Sequence, residues 1–178
     1  MQEFQRAILT HGGSASDPHN SDGPQAAAKT GMALMENGQS ALSAVVRAVR
    51  SLEDDPRLNA GLGSQLRADG CTIRQDASCM TSNGQFGAVA GIQNPVDLAR
   101  GVLLLSPHIL LAGDGARFFA KEQDMPIMVL KGSDGKKPSA SSCDTVGSVA
   151  FDGTSFAAAL SSGGLEDGMA WSCLTEKK

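Results

Sequence analysis

Tyrosine is absent from this sequence, tryptophan occurs once, and aromatic residues make up only 4% of the chain. A core built without aromatic anchors must rely on aliphatic side chains and close backbone approach, and 21 glycines supply the second. No run of about 18 apolar residues occurs, which excludes a membrane-spanning helix of ordinary length. Basic residues are not clustered either: 15 Lys and Arg are scattered against 19 Asp and Glu, for a net charge of −4. Phosphate backbones are bound by concentrated positive charge, so nucleic acid is not an expected partner, and a small-molecule substrate fits better. The four cysteines, at positions 71, 79, 143 and 173, have neither metal-ligand spacing nor the density of a disulfide framework. Free thiols in a reducing cytoplasm are the expectation. The start Met1-Gln2-Glu3-Phe4-Gln5-Arg6 lacks the basic and apolar pattern of an export signal.

With 178 residues, 41% of them apolar, one core is expected. Arg6 to Thr10 reads as a strand that stops at His11-Gly12-Gly13. Pro24 opens a helix that runs through Ala26–Glu36 and closes at Asn37-Gly38. Ser40 caps a second helix, whose stripe of Leu42, Val45, Val46, Val49 and Leu52 faces inward while Arg47 and Arg50 face outward. Two helices joined so tightly should pack antiparallel. Pro56 ends helical structure, and residues 59–64 form a glycine-punctuated turn. Asp69-Gly70 reads as a hairpin loop and Phe86 to Ile92 as a buried strand. A third helix should run from Asn94-Pro95 to about Ser106-Pro107 and a fourth from about Ala116 to Gln123. Gly113-Asp114-Gly115 lacks phosphate-loop spacing and reads as a tight turn before that fourth helix. Residues 126–130 read as a short strand, and residues 131–143 have the Gly, Ser and Lys content of an exposed, cleavable linker.

Beyond the linker, Asp152-Gly153 separates two strand-like runs. A two-residue loop there would pair Phe151 with Thr154 and set Thr145 opposite Leu160, with Ser162 as the diagonal neighbour on the same face. Spacing alone is equally consistent with two hydroxyl residues that merely occupy strands.

The motifs narrow the choice. Asp144-Thr145-Val146-Gly147 precedes a strand ending Ala157-Ala158-Ala159-Leu160-Ser161-Ser162-Gly163-Gly164. Upstream, in order, stand His11-Gly12-Gly13, residues 51–64 (SLEDDPRLNAGLGS), Asp76-Ala77-Ser78-Cys79-Met80, Gly87-Ala88-Val89-Ala90-Gly91, Asn94-Pro95-Val96, residues 106–111 (SPHILL) and residues 113–116 (GDGA). Over about residues 6–120 and 144–164 the chain resembles the isoaspartyl peptidase/L-asparaginase family of N-terminal-nucleophile hydrolases, which is related to threonine aspartase.

The resemblance implies an α/β fold, the αββα sandwich of that family, only part of which this sequence would supply. It divides the chain into an α-subunit-like region, residues 1–144, and the truncated start of a β subunit, residues 145–178. Residues 165–178 diverge from the family: its arginine and aspartate clamp for the substrate and its later Thr-Gly oxyanion segment have no counterpart there. Autocleavage between Asp144 and Thr145 is implied, with Thr145 becoming nucleophile and, through its freed α-amine, base; such an amine has a reference pKa of about 7.7–8.0. By family position Ser162 supports the Thr145 hydroxyl and Asn59 supports processing. Carbonyls of Leu52, Glu53, Asp55, Leu58, Ala60 and Leu62 match a sodium-binding loop, although an ordinary turn would look the same in sequence; no other cofactor is implied. The implied reaction is hydrolysis of the L-asparagine side-chain amide or of β-aspartyl dipeptides, by a homodimer of αβ units, with no nucleic acid or membrane partner. Two alternatives stand beside it: an inactive homologue acting as a binding or regulatory subunit, and a threonine-aspartase-like protease.

Overall fold

Among the described residues, five segments of strand-like alternation, interleaved with helical stripes, fold into one antiparallel sheet with helices against one face. The computed structural model describes residues 5–14, 16–65, 73–90, 94–126 and 145–164. The strands are β1 (Ala7–His11), β2 (Asp76–Thr81), β3 (Phe86–Ala90), β4 (Val146–Phe151) and β5 (Phe156–Ser162), in the spatial order β1-β4-β5-β2-β3. Every neighbouring pair is antiparallel. β1 and β4, far apart in sequence, therefore lie side by side.

Four helices follow the sequence pattern closely: α1 (Asp22–Glu36), α2 (Ala41–Glu53), α3 (Pro95–Leu105) and α4 (Gly113–Glu122). Ser40 caps α2 as expected, its hydroxyl accepting the Ser43 N–H at 3.2 Å. Ala41, Ala44, Val45, Ala48, Val49 and Leu52 of α2 are completely buried. Each such Val or Leu contributes roughly 1.5–3 kcal/mol relative to exposure, so this stripe is the main hold of α2 on β4 and β5. Small residues let the layers approach. At Gly87 a Cβ would sit 3.0 Å from the Leu103 N of α3, and at Gly31 it would sit 3.0 Å from the Ala44 carbonyl of α2.

Two expectations need correcting. Gly113-Asp114-Gly115 is not a turn before α4 but its first turn, because Ala112 takes the extended N-cap position and Gly113, at φ +56°, starts the helix. The β4–β5 register also differs: Phe151 pairs with Phe156, and Val146 with Ser161. The loop tip is Gly153-Thr154 rather than Asp152-Gly153. The Asp152 carboxylate accepts the Thr154 and Ser155 N–H groups at 2.9 Å each, its own N–H donates to the Ser155 carbonyl at 3.2 Å, and Gly153 supplies φ +99°. The shift is two residues, so each side chain keeps its face. Asp69-Gly70, the 127–130 part of the short strand, residues 91–92, the 131–143 linker, Asp144, the 165–178 tail and Cys71, Cys143 and Cys173 lie outside the described residues. Cys79 is buried and free, and desolvation pushes its thiol up to about 12.

The sheet face away from the helices is apolar. Leu9, Val149, Ala158, Met80 and Phe86 form one row across all five strands, and the large members of that row are 40–65% exposed.

Candidate active site

Strand pairing places the sequence-nominated hydroxyls more closely than the nominated loop would have. Continuing the β4–β5 register by one residue sets Thr145 directly beside Ser162, and Ser162 pairs on its other side with Asp76 of β2. Thr145, Ser162 and Asp76 thus form a row at one end of the open face. Neighbouring strands lie about 4.8 Å apart, so Thr145 and Asp76 are separated by about 10 Å at their Cα atoms.

The row lines a cleft of about 240 Å³. Its floor includes Ser78, Ala88 and Leu160, and its wall is Leu110-Leu111-Ala112, a segment held against β3 by the Leu111 N–H to Ala88 carbonyl bond at 3.1 Å. Asp76 is the only charged residue among the described residues that line it. Neither Asp76 nor the 110–112 wall follows from hydroxyl spacing; the alternation of Asp76 and Ser78 in β2 is the available signal. The Ser162 hydroxyl accepts the Gly164 N–H at 3.2 Å.

Asn59 does not line the cleft. It is 3% exposed, its Nδ2 donates to the Gly164 carbonyl at 3.0 Å and its carbonyl accepts the Gly163 N–H at 2.8 Å. Asn59 therefore clamps the strand end that carries Ser162. Gly163 makes this possible, since a Cβ there would meet the Asn59 side chain and lie 2.5 Å from Ser64 Cα.

The turn leading to Asn59 is fixed at several points. Arg57 forks onto Asp22 at 3.0 and 3.1 Å and onto Asp55 at 2.9 and 2.6 Å, and its guanidinium holds both carboxyls below their usual range. Of the six carbonyls matched to a cation loop, those of Leu52, Asp55, Leu58 and Ala60 each accept a backbone N–H, at 3.3, 3.1, 2.9 and 3.0 Å. Each carbonyl keeps a second lone pair. Gly61, at φ +52°, and Gly63 let the turn fold back on itself: a Cβ on Gly61 would lie 2.6 Å from Glu53 Cβ, and one on Gly63 would lie 2.8 Å from the Pro56 carbonyl.

Beneath the site lies a group that the motif matching used only for its carbonyl. The Glu53 side chain is fully buried, and its Oε1 accepts the Val96 N–H at 3.1 Å, capping α3 from the end of α2. Desolvation raises the carboxyl to about 8 against the opposing influence of Ser161, Val96 and Asn94. Ser161 stands beside it on the helix side of β5, although no hydrogen bond of ordinary geometry joins the two. No group of three or more His, Cys, Asp or Glu suited to a metal ion occurs among the described residues. No described helix is long and apolar enough to cross a membrane.

Comparison with known proteins adds an independent line. The asparaginase family model matches residues 5–136, a span that includes Asn59, the glycine turn and Asp76 and ends before Thr145. A rat isoaspartyl peptidase/L-asparaginase is 44% identical over 129 residues, covering 67% of this chain and 38% of the relative. A plant-type L-asparaginase from Pyrococcus furiosus is 41% identical over 130 residues, covering 67% of this chain and 42% of the relative. The human isoaspartyl peptidase/L-asparaginase is 40% identical over 130 residues, again 42% of its length. The chain thus spans about two fifths of the length of the curated relatives it matches. A family match over well more than half of its residues places this chain in the asparaginase family.

Proposed function

We propose that Thr145 is the nucleophile of an amide hydrolase that acts on the side-chain amide of L-asparagine or on β-aspartyl peptides. The observation that carries this reading is the placement of Thr145 beside Ser162, at the mouth of a cleft, in a chain of the asparaginase family.

The chemistry begins with self-cleavage. Thr145 Oγ attacks the Asp144 carbonyl carbon, the peptide nitrogen leaves as the α-amine, and an ester joins the two residues. Water hydrolyses that ester, leaving Asp144 with a carboxylate and Thr145 with a free amine and its hydroxyl restored. The amine then takes the Oγ proton as Oγ attacks the substrate amide carbon. Ammonia, or the peptide amine, departs with that proton, and water cleaves the acyl-threonine to release aspartate. Ser162 supports Oγ from the adjacent strand, and Asn59 supports Ser162 through residues 163 and 164.

The turn of residues 52–63 fits a hard monovalent cation such as sodium, because its donor set consists of backbone carbonyls packed on glycines. Carbonyls of Leu52, Glu53, Asp55, Leu58, Ala60 and Leu62 would hold it, and its chemistry there would be structural, offsetting carbonyl dipoles of the turn that carries Asn59. The open apolar face fits a second sheet packed about 10 Å away, which would complete an αββα sandwich. The same face also favours a second reading, a non-catalytic subunit that docks on a partner.

Denaturing mass spectrometry separates the two. Fragments divided between Asp144 and Thr145, together with ammonia release from L-asparagine, are expected for the hydrolase, and both disappear in Thr145→Ala. A chain that stays intact and releases no ammonia would sink the hydrolase reading and favour the docking subunit.

A further inference from the structure

The helix layer carries a second cleft, of about 360 Å³, and among the described residues it shares none of its lining with the cleft at Thr145. One side of α3 makes its floor. Asp97, Arg100, Gly101, Leu104 and Leu105 recur at steps of three and four residues, which stacks them along one face of a helix. That face is charged at its start and apolar at its end.

The walls continue the division. Arg50 enters from α2; its Nη1 meets the Asp97 carboxylate at 2.9 Å, while its Nε is buried without a hydrogen-bond partner. Arg100 has no hydrogen bond and no ion pair among the described residues, and Arg47 stands close enough to act on Asp97 as well. Three guanidiniums thus share Asp97, and the other carboxylate acting there, Asp54, accepts the Asn94 amide at 2.9 Å. Positive charge is left in excess. At the apolar end, Asp124, at φ +50°, turns the chain back after α4, and the Met125 N–H is fastened to the Ala120 carbonyl at 2.9 Å. Met125 reaches α3 over Gly101, where a Cβ would lie 3.0 Å from its Cε. Leu104 and Leu105, 49% and 62% exposed, extend this surface.

Ligand sites span about 300–1,000 Å³, so this cleft suits a small molecule. Guanidiniums select planar oxyanions, which they bind through paired, charge-assisted hydrogen bonds. The aliphatic end favours methylenes, each contributing up to about fourfold in affinity when buried.

We propose that this cleft binds a small organic anion, a carboxylate with a short aliphatic tail, its head on Arg100 beside Arg50 and its tail along Leu104 and Met125. The site lies on the helix side of the sheet and is independent of the reading of Thr145 as nucleophile.

The test uses the full chain labelled with ¹⁵N and three probes: hexanoate, hexylammonium and acetate. Titrations followed by amide shifts give both affinity and place, and circular dichroism confirms that each variant is folded. Arg100 is the residue to change, since removing Arg50 would strand Asp97. Hexanoate is expected to shift the Arg100, Gly101 and Leu104 amides and to bind about tenfold or more tightly than either other probe. Its affinity should fall about tenfold in Arg100→Gln and be largely kept in Arg100→Lys. Leu104→Asn should reduce the advantage of hexanoate over acetate. Equal affinity for hexanoate and hexylammonium, an affinity unchanged in Arg100→Gln, shifts confined to the Thr145 cleft, or no binding at all overturns the assignment. Ammonia release and cleavage before Thr145 report on the hydrolase reading separately and are expected to be unchanged in Arg100→Gln.

Discussion

Replacing Glu53 by Gln tests the buried link between α2, α3 and β5. The native carboxyl titrates at about 8, against 4.5 for the free group. Between those values the folded chain holds a proton that the unfolded chain has lost, so stability falls as pH rises. The contribution is fully present below about pH 4.5, is lost progressively as pH climbs, and is gone above about pH 8. At about 1.4 kcal/mol per pH unit, the gap of 8 minus 4.5 sets a ceiling of about 5 kcal/mol, and a loss of about 2–3 kcal/mol is expected between pH 5 and pH 7. Gln has the same shape, can still accept the Val96 N–H through its carbonyl oxygen, and does not ionise. Urea unfolding of both proteins at pH 5, 6, 7 and 8 isolates the effect, because all other titrating groups cancel in the difference. The curves should lie close together at pH 5 and separate steadily, with Glu53→Gln the more stable at pH 8. Parallel curves across this range would refute the account of a carboxyl kept protonated by burial.

Three further outcomes follow from close approaches and caps. Gly163→Ala places a Cβ 2.5 Å from Ser64 Cα, so the Ser162 strand end must shift; a cost of about 1–3 kcal/mol in urea unfolding is expected, with reduced ammonia release. Gly87→Ala drives a Cβ into the α3 backbone, 3.0 Å from Leu103 N, and should cost about 1–3 kcal/mol in the same measurement while leaving the cleft residues in place. Asp152→Ala removes the 2.8 Å bond to the Ala41 N–H at the start of α2 as well as the turn bonds, and should cost about 1–2 kcal/mol near neutral pH. Partial burial opposes ionisation of Asp152, but N–H groups of Ser155, Ala41 and Thr154 and the Ser155 hydroxyl outweigh it and draw the carboxyl down to about 2. That stability is present above about pH 3.8 and fades as pH falls toward 2, so thermal melts of Asp152→Ala and the unaltered chain should converge in acid.

By itself the sequence determined the local structure. Ser40, the α2 stripe and Asn94-Pro95 marked helices because capping and 3.6-residue periodicity are carried by near neighbours. The family was also legible, in motifs that run from His11-Gly12-Gly13 to residues 113–116. Tertiary structure decided which distant residues meet. The register of β4 on β5 turned on the Asp152 carboxylate and one glycine, a choice that strand alternation leaves open because a two-residue shift preserves every face. Asp76 entered the site only because β2 pairs with the distant β5 and sets it beside Ser162, and Asn59 proved to be a clamp on residues 163 and 164. In sequence Glu53 counted only for its backbone carbonyl, and only the packing of α2, α3 and β5 around it made its side chain a buried acid. Pairing and burial of this kind depend on the whole sheet, so no local pattern encodes them.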